Sequence, residues 1–147
     1  MGKNCMTNEF ATVRTYASIT LGESAFFEHT ISAEDVRVFA DISGDHNELH
    51  TDETYVKTTP FKEIVVHGMY LGALVSRFVG MYLPGKYCLL IKETLEFKKP
   101  VPVGQSVRVS GTIVHKSDAA RLLEISIVIT RGDEIVAEGA VLTKVLV

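Results

Sequence analysis

Apolar and polar residues alternate along the second half of the chain with the two-residue period of half-buried β-strands. The pattern is clearest at Leu123, Ile125, Ile127 and Ile129, which place an apolar side chain at every second position. Similar patterns predict strands over residues 87–97, 106–115, 123–129 and 135–147, with a hairpin turn at residues 131–134. Because these strands follow one another directly, we expect an antiparallel meander.

The first half of the chain shows the spacing of helices, after a stretch of extended structure predicted over residues 10–31. Ser32 is a predicted N-cap, with Asp35 three residues on as an approximate capping box, and Gly44 is a predicted helix end. Further helices are predicted over residues 52–57, capped by Thr51, and over residues 68–83. Helices that precede a meander predict an α+β fold.

The last of these helices lies in a twenty-residue apolar stretch, residues 64–83, which has the length of a membrane span. The stretch includes Arg77, and an arginine well inside a span costs ~2.5–3.5 kcal/mol on insertion scales. We therefore interpret it as the buried central helix of a globular domain, with no membrane partner. Small residues recur on it at Gly68, Gly72, Ser76 and Gly80. This face predicts close approach of another backbone, as in a helix wrapped by a curved sheet, rather than a membrane dimer face.

The composition is that of one globular domain. The chain has 147 residues, of which 46% are hydrophobic and 22% charged. The hydrophobic fraction is higher than that of a disordered chain, and the length is enough to bury a core. The net charge of −3 disfavours nucleic acid as a main partner. Residues 1–9 lack the apolar run of a secretory signal, so we expect a loose tail there and one domain over residues 10–147. Cys5 and Cys88 lack zinc-type spacing, so we expect free thiols in a reducing cytoplasm and no metal.

The densest polar cluster, residues 43–50, lies between two predicted helices, where loops often carry functional sites. Asp45 and His50 are five residues apart and can meet in a turn, where a carboxylate orients an imidazole. Such a pair can act as a general base on a water molecule. The alternative is a solvated loop in which the aspartate and asparagine side chains only form turns.

A second candidate lies at His67 and Gly68, where a loop enters the long helix. The backbone N–H of Gly68 would point out of the helix N-terminus, where it can stabilise a developing oxyanion or enolate. The alternative for His67 is a buried histidine with satisfied hydrogen bonds. The alternative for Gly68 is a residue that is needed only for tight packing. Ser76 lies within the helix with no base predicted beside it.

Separate segments of the chain resemble the MaoC-like, (R)-specific enoyl-CoA hydratases, also called hydratase 2. Residues 43–50 read Ser-Gly-Asp-His-Asn-Glu-Leu-His, against the family pattern Ser-Gly-Asp-x-Asn-Pro-Leu-His. Residues 58–69 and 95–104 are similar to the family in the expected order and spacing, and the resemblance runs from about Phe27 to the C-terminus. It implies a hot-dog fold, in which a curved antiparallel β-sheet wraps a long central helix. It also implies a homodimer that binds acyl-CoA near the subunit interface.

The resemblance further implies a reaction and a set of site residues. The family's catalytic dyad maps to Asp45 and His50. The predicted oxyanion or substrate-binding residues are Gly68, Asn47, Ser76 and His67. The expected reaction is the reversible addition of water to a trans-2-enoyl-CoA, giving an (R)-3-hydroxyacyl-CoA, with no metal or redox cofactor.

Two departures and three alternatives accompany this interpretation. Glu48 stands where the family pattern has proline, and Val56 stands where alanine or serine is usual. A hot-dog acyl-CoA thioesterase and a non-catalytic acyl-CoA-binding domain are the rival functions. Acyl carrier protein is an alternative carrier to CoA. Lys98 and Lys99 could meet CoA phosphates or could simply be solvated turn residues.

Overall fold

The computed structural model describes residues 10–147, so the predicted tail over residues 1–9 and Cys5 lie outside the described part of the chain. A 3₁₀ turn at Tyr16–Ser18 precedes the main elements. Those elements are β1 (Ser24–Thr30), α1 (Ala33–Ser43), α2 (Glu48–Thr51), α3 (Glu53–Thr58), α4 (Gly68–Met81), β2 (Cys88–Phe97), β3 (Ser106–Ser117), β4 (Leu122–Arg131) and β5 (Glu134–Val145). Helices cluster before the last four strands, which confirms the α+β interpretation.

The strands form one antiparallel sheet in the order β1-β3-β4-β5-β2. The consecutive strands β3, β4 and β5 are neighbours, so the predicted meander is confirmed, and Gly132 turns the predicted hairpin with a φ of 57°. The extended prediction for residues 10–31 is correct only for β1. The backbone before β1 makes hydrogen bonds to other parts of the fold instead of pairing in the sheet. The N–H of Thr12 donates to Met81 O, 3.0 Å away, and the N–H of Tyr16 donates to Val147 O, 2.8 Å away.

Local capping chemistry sets both ends of α1. The Ser32 hydroxyl accepts the N–H of Asp35, and the Asp35 carboxylate accepts the N–H of Ser32, so the predicted capping box is present. Gly44 ends the helix in the left-handed conformation, with a φ of 75°, and its N–H donates to Ala40 O. Both boundaries predicted from these residue types are therefore confirmed.

The polar segment after α1 is more helical than the sequence pattern predicts. Residues 45–50 include the start of α2, and Thr51 is the last residue of this turn rather than the cap of the next helix. Asp52 caps α3 instead, because its carboxylate accepts the N–H groups of both Thr54 and Tyr55. The misassignment arises because threonine and aspartate are both good N-caps and stand side by side here.

The core lies between α4 and the concave face of the sheet. Leu71, Val75 and Phe78 of α4 are buried against strand residues that include Val109, Ile125, Ile127 and Val141. Gly111 of β3 lets the sheet approach the helix, since a Cβ there would lie 2.6 Å from the ring of Phe78. A curved sheet thus wraps a central helix, as expected of a hot-dog fold. Within residues 10–147, no helix is long and apolar enough to cross a membrane.

The small face of α4 is in close contact with the sheet along only part of its length. Side chains of β2 cover its first half: a Cβ at Gly68 would lie 3.3 Å from the ring of Phe97, and one at Gly72 would lie 3.0 Å from a carboxylate oxygen of Glu93. Gly80 has open space beside it and Ser76 is exposed. The face therefore packs tightly at Gly68 and Gly72, but against side chains, so the predicted approach of another backbone is not observed.

Candidate active site

The loop after α1 and the start of α4 bring together three side chains that lie far apart in sequence. One ligand-type atom from each of Asp45, His50 and His67 lies within 4.8 Å of the other two. Asp45 is exposed, His50 is half-buried and His67 is 2% exposed. The carboxylate of Asp45 and a ring nitrogen of each histidine therefore lie close together at the surface of the domain.

The ring of His50 is oriented by a backbone carbonyl. Its Nδ1 lies 2.6 Å from Val65 O, and because a carbonyl oxygen can only accept, Nδ1 carries the proton. In the neutral ring Nε2 then has the free lone pair, which is the form that a general base needs. The sequence predicts this orienting role for Asp45. The structure gives it to Val65, and the distance of up to 4.8 Å between the Asp45 and His50 atoms is one that a single water can bridge.

Hydrogen bonds within the loop set the position of Asp45. Its carboxylate accepts the N–H of Asn47 at 3.2 Å, and its own N–H donates to the Ser43 hydroxyl at 3.2 Å. The Asn47 side chain caps α2, since its Oδ1 accepts the N–H of Leu49 at 2.9 Å. The side-chain oxygen of the predicted substrate-binding Asn47 is therefore engaged in holding the loop.

The departure at Glu48 has a structural explanation. Glu48 is the first residue of α2, the position where proline is favoured because its missing N–H has no partner in the helix. A glutamate at that position is favourable for a different reason, because its negative charge is attracted to the positive end of the helix dipole. The departure at Val56 places a buried valine, 1% exposed, in α3 beside a cavity lined also by His50.

Gly68 is the first residue of α4 and lies next to His67, the N-cap of that helix. A pocket of about 280 Å³ brings Gly68 and His50 to the same wall, together with Phe97 and the backbone segment from Val65 to Val66. Lys98 and Lys99 line this pocket as well. The predicted general base and the predicted oxyanion donor therefore face one space.

Ser76 and a second cavity both lie outside the pocket that contains Gly68. Ser76 is exposed and lies eight residues beyond Gly68 on α4, about 12 Å along the helix, so it does not join the site within one chain. A second cavity, of about 610 Å³, lies on the other side of His50 between α1 and α3 and is lined by His46 and Val56. His50 therefore borders two cavities, of which only the smaller contains Gly68.

The ring geometry does not fit a metal ion shared by the two histidines. The rings of His50 and His67 are stacked, with centroids 3.9 Å apart and planes at 25°. Two nearly parallel rings cannot both direct an in-plane lone pair at one ion about 2 Å away. One nitrogen of each ring is also engaged with a carbonyl oxygen, Val65 O or Asp45 O. The residue set is suited to acid–base chemistry.

Two residues of the site lie outside the sequence-based set. Val65 contributes only its carbonyl, and a backbone acceptor has no sequence signal because any residue carries one. Phe39 packs its ring edge-on against His67, with centroids 5.1 Å apart. Phe39 lies four residues before Ser43, the first residue of the family pattern, and nothing in that pattern says that it contacts His67.

The fold and this constellation define the class of the protein: a hot-dog domain with Asp45, His50 and His67 gathered at the start of its central helix. The chain matches the model of the MaoC-like domain over residues 15–134. It is 34% identical over 129 residues to an (R)-specific enoyl-CoA hydratase of Aeromonas caviae, covering 86% of this chain and 96% of the relative. It is 33% identical over 130 residues to a 3-hydroxybutyryl-CoA dehydratase of Methylorubrum extorquens, covering 88% of this chain and 83% of the relative.

Solved structures show the same likeness. An R-hydratase from Pseudomonas aeruginosa, in its unliganded form, superposes with a TM-score of 0.86 and 30% identity, over 89% of this chain and 84% of that one. The (R)-hydratase from Aeromonas caviae, described as involved in PHA biosynthesis, gives a TM-score of 0.85 and 31% identity over 87% and 98% of the two chains. The chain belongs to the MaoC-like domain family.

Proposed function

We propose that the protein is an (R)-specific enoyl-CoA hydratase, which adds water reversibly to a trans-2-enoyl-CoA. The observation that carries the proposal is the His50 ring, fixed by Val65 O with Nε2 as the free base, beside the carboxylate of Asp45 and in the same pocket as Gly68. Hydratase and dehydratase relatives that match most of the chain support it.

The proposed reaction begins with a water molecule held between Asp45 and His50. His50 Nε2 removes a proton from the water while its oxygen attacks the β-carbon of the conjugated thioester. Electron density moves through the double bond to the thioester oxygen, which becomes an enolate. The Gly68 N–H at the N-terminus of α4 donates a hydrogen bond to this oxygen and stabilises the charge where it develops.

The proton taken from the water balances the second half of the reaction. The dyad returns it to the α-carbon, the enolate collapses to the thioester, and the product is a 3-hydroxyacyl-CoA. Dehydration follows the same path in reverse, because a catalyst lowers one barrier in both directions. The side chains that act in this scheme are Asp45 and His50, and the scheme requires no metal or redox cofactor.

A homodimer and a CoA carrier form part of the proposal. Within residues 10–147 β2 is an edge strand of the sheet, and α4, whose Gly72 packs against Glu93 of β2, has an exposed face that includes Met69, Ala73 and Ser76. An unpaired strand edge next to exposed apolar helix surface favours association with a second copy. The pocket with His50 lies beside this surface, at the first turn of α4.

The lysines beside this pocket are already paired. Lys98 bridges Glu96 and Glu138 at 2.8 and 3.1 Å, and Lys99 pairs with Glu134. Recruitment of either lysine by a CoA phosphate would therefore exchange one ion pair for another. Acyl carrier protein remains the alternative carrier, and parallel assays with crotonyl-CoA and a crotonylated carrier protein distinguish the two.

The test uses the full chain and crotonyl-CoA. We expect the absorbance of the conjugated enoyl thioester to fall as water adds, and chiral chromatography of the hydrolysed product to give the R enantiomer. Thiol release, followed with a thiol reagent, should stay at background, whereas rapid release from a saturated acyl-CoA would support the thioesterase alternative. Tight binding of crotonyl-CoA without turnover would support the non-catalytic alternative and contradict the proposal.

A further inference from the structure

We propose that His67 is a positioning residue, which holds both members of the dyad in place and does not contact substrate. This inference deepens the proposed function and rests on it. It replaces the expectation that His67 belongs with the substrate-binding residues. Two independent contacts of its ring carry the inference, one to each member of the dyad.

The first contact joins His67 to the backbone of Asp45. Its Nε2 lies 2.9 Å from Asp45 O. Because the carbonyl oxygen has no proton to give, Nε2 of His67 must be the donor and must carry the hydrogen. The neutral ring is then the Nε2–H tautomer, the opposite of the Nδ1–H tautomer of His50. This bond ties the loop that carries Asp45 to the N-cap of α4.

The second contact joins His67 to the ring of His50. The two imidazoles are stacked with centroids 3.9 Å apart and planes at 25°, so His67 forms one wall of the slot that holds the proposed base. Phe39 also packs edge-on against His67, with centroids 5.1 Å apart, and Tyr70 packs on Phe39 at 5.7 Å. The ring of His67 is therefore held by contacts with two other rings.

Burial excludes a direct role in binding. His67 is 2% exposed, and its Nδ1 is buried and has no hydrogen-bond partner among residues 10–147. The ring packs against those of His50 and Phe39, with centroids 3.9 and 5.1 Å away. The contribution of His67 must then pass through the geometry of Asp45 and His50, and a 1 Å misplacement of catalytic groups can cost ~10²-fold in rate.

The test compares two amides that differ by one methylene. In His67→Gln the side-chain amide nitrogen can lie close to the Nε2 position and donate to Asp45 O, whereas in His67→Asn it is too short to reach. We expect kcat of His67→Asn to be ~10²-fold below that of wild type. The kcat of His67→Gln should be at least tenfold higher than that of His67→Asn. KM should stay within about threefold of wild type in both variants.

The KM–kcat split decides between positioning and substrate contact. Equal kcat for the two amides would overturn the positioning role, and so would a large rise in KM with unchanged kcat, because that pattern identifies a group that binds substrate. His50→Ala distinguishes the failure of the two ideas. If it abolishes hydration while both His67 variants remain at the wild-type rate, the proposed function stands and this inference does not.

A spectroscopic measurement on the wild-type chain needs neither activity nor variants. Long-range ¹⁵N–¹H correlation spectra report which nitrogen of each histidine carries the proton. We expect Nε2–H for His67 and Nδ1–H for His50. An Nδ1–H tautomer at His67 is incompatible with its bond to Asp45 O and would overturn the inference even if the asparagine variant failed to fold.

Discussion

At the scale of single residues, Gly68 carries two separable properties: a backbone N–H at the first position of α4, in the lining of the pocket of His50, and a Cα where an added Cβ would be tight against Phe97. A Cβ at this position would lie 3.3 Å from the ring of Phe97, which must then shift by a few tenths of an ångström. Alanine and proline both add this carbon, but only proline removes the N–H.

The kcat of Gly68→Pro should therefore be ~10²–10³-fold lower than the kcat of Gly68→Ala, because proline removes the proposed oxyanion donor. The backbone accepts proline here: position 68 begins α4, where proline is tolerated, and His67 has the extended conformation required before proline, with φ −55° and ψ 132°. Steady-state kinetics with crotonyl-CoA give the comparison. Similar rates for the two variants would show that the N–H of Gly68 does not stabilise the transition state.

The residues of the site differ in how visible they are to sequence reasoning. Asp45 and His50 are predictable because their chemistry lies in their side chains and their spacing follows a known pattern. The carbonyl of Val65 is not, since folding alone selects which backbone oxygen faces His50. The role of His67 also depends on burial and ring stacking, which residue types do not encode.

At the scale of elements, the contact between α4 and β2 encloses an acidic side chain. Glu93 of β2 has one buried carboxylate oxygen next to Gly72, with no hydrogen-bond partner within residues 10–147. Burial raises the pKa of Glu93 above its ordinary value. The folded state then binds this proton more tightly than the unfolded state, so the stability of the fold falls as the pH rises from about 4 through the raised pKa.

Glu93→Gln removes this dependence, because the amide does not ionise. We expect the variant to have a higher Tm than wild type at pH 7 and a Tm close to wild type near pH 4, as measured by thermal unfolding across that range. Glu124→Gln, at an exposed acid on β4, is the matched control and should show no such gain. A lower Tm for Glu93→Gln at pH 7 would mean that the carboxylate is stabilising.

The packing of the sheet against α4 depends on a close approach at Gly111 of β3. In Gly111→Ala the new methyl would lie 2.6 Å from Phe78 and 3.0 Å from Ile125, so we expect a loss of ~1–3 kcal/mol in the free energy of unfolding by urea. The loss should be smaller in a Phe78→Leu background, where the ring is gone. An equal cost in both backgrounds would place the strain elsewhere.

Elements with local signals are the ones that sequence reasoning predicts correctly. The boundaries of α1 follow from Ser32, Asp35 and Gly44, whose effects are confined to adjacent residues. The alternation of β4 predicts its buried face for the same reason. The four-residue helix α2 is missed because so short a helix depends on its Asn47 cap and on tertiary contacts such as the bond from Val65 N–H to Leu49 O.

At the scale of the whole molecule, β2 lies at an edge of the sheet with no further strand paired to it within residues 10–147, and the exposed face of α4 lies beside β2. The proposed dimer predicts a molar mass in solution of twice 16.2 kDa by light scattering. Ala73→Arg places a charge on this face of α4 and should shift the mass towards that of one chain. Val38→Arg, at an exposed position of α1, is the control and should leave it unchanged. A monomeric wild type would contradict the proposed assembly.

In the proposed mechanism His50 is the base that activates water for addition to an enoyl thioester. The most direct measurement is kcat/KM for crotonyl-CoA hydration by wild type and His50→Ala, with His46→Ala as the control at a neighbouring exposed histidine. We expect a loss of ~10²–10⁴-fold in His50→Ala, with circular dichroism unchanged, and little change in His46→Ala. A folded His50→Ala variant that hydrates crotonyl-CoA at the wild-type rate would contradict the claim.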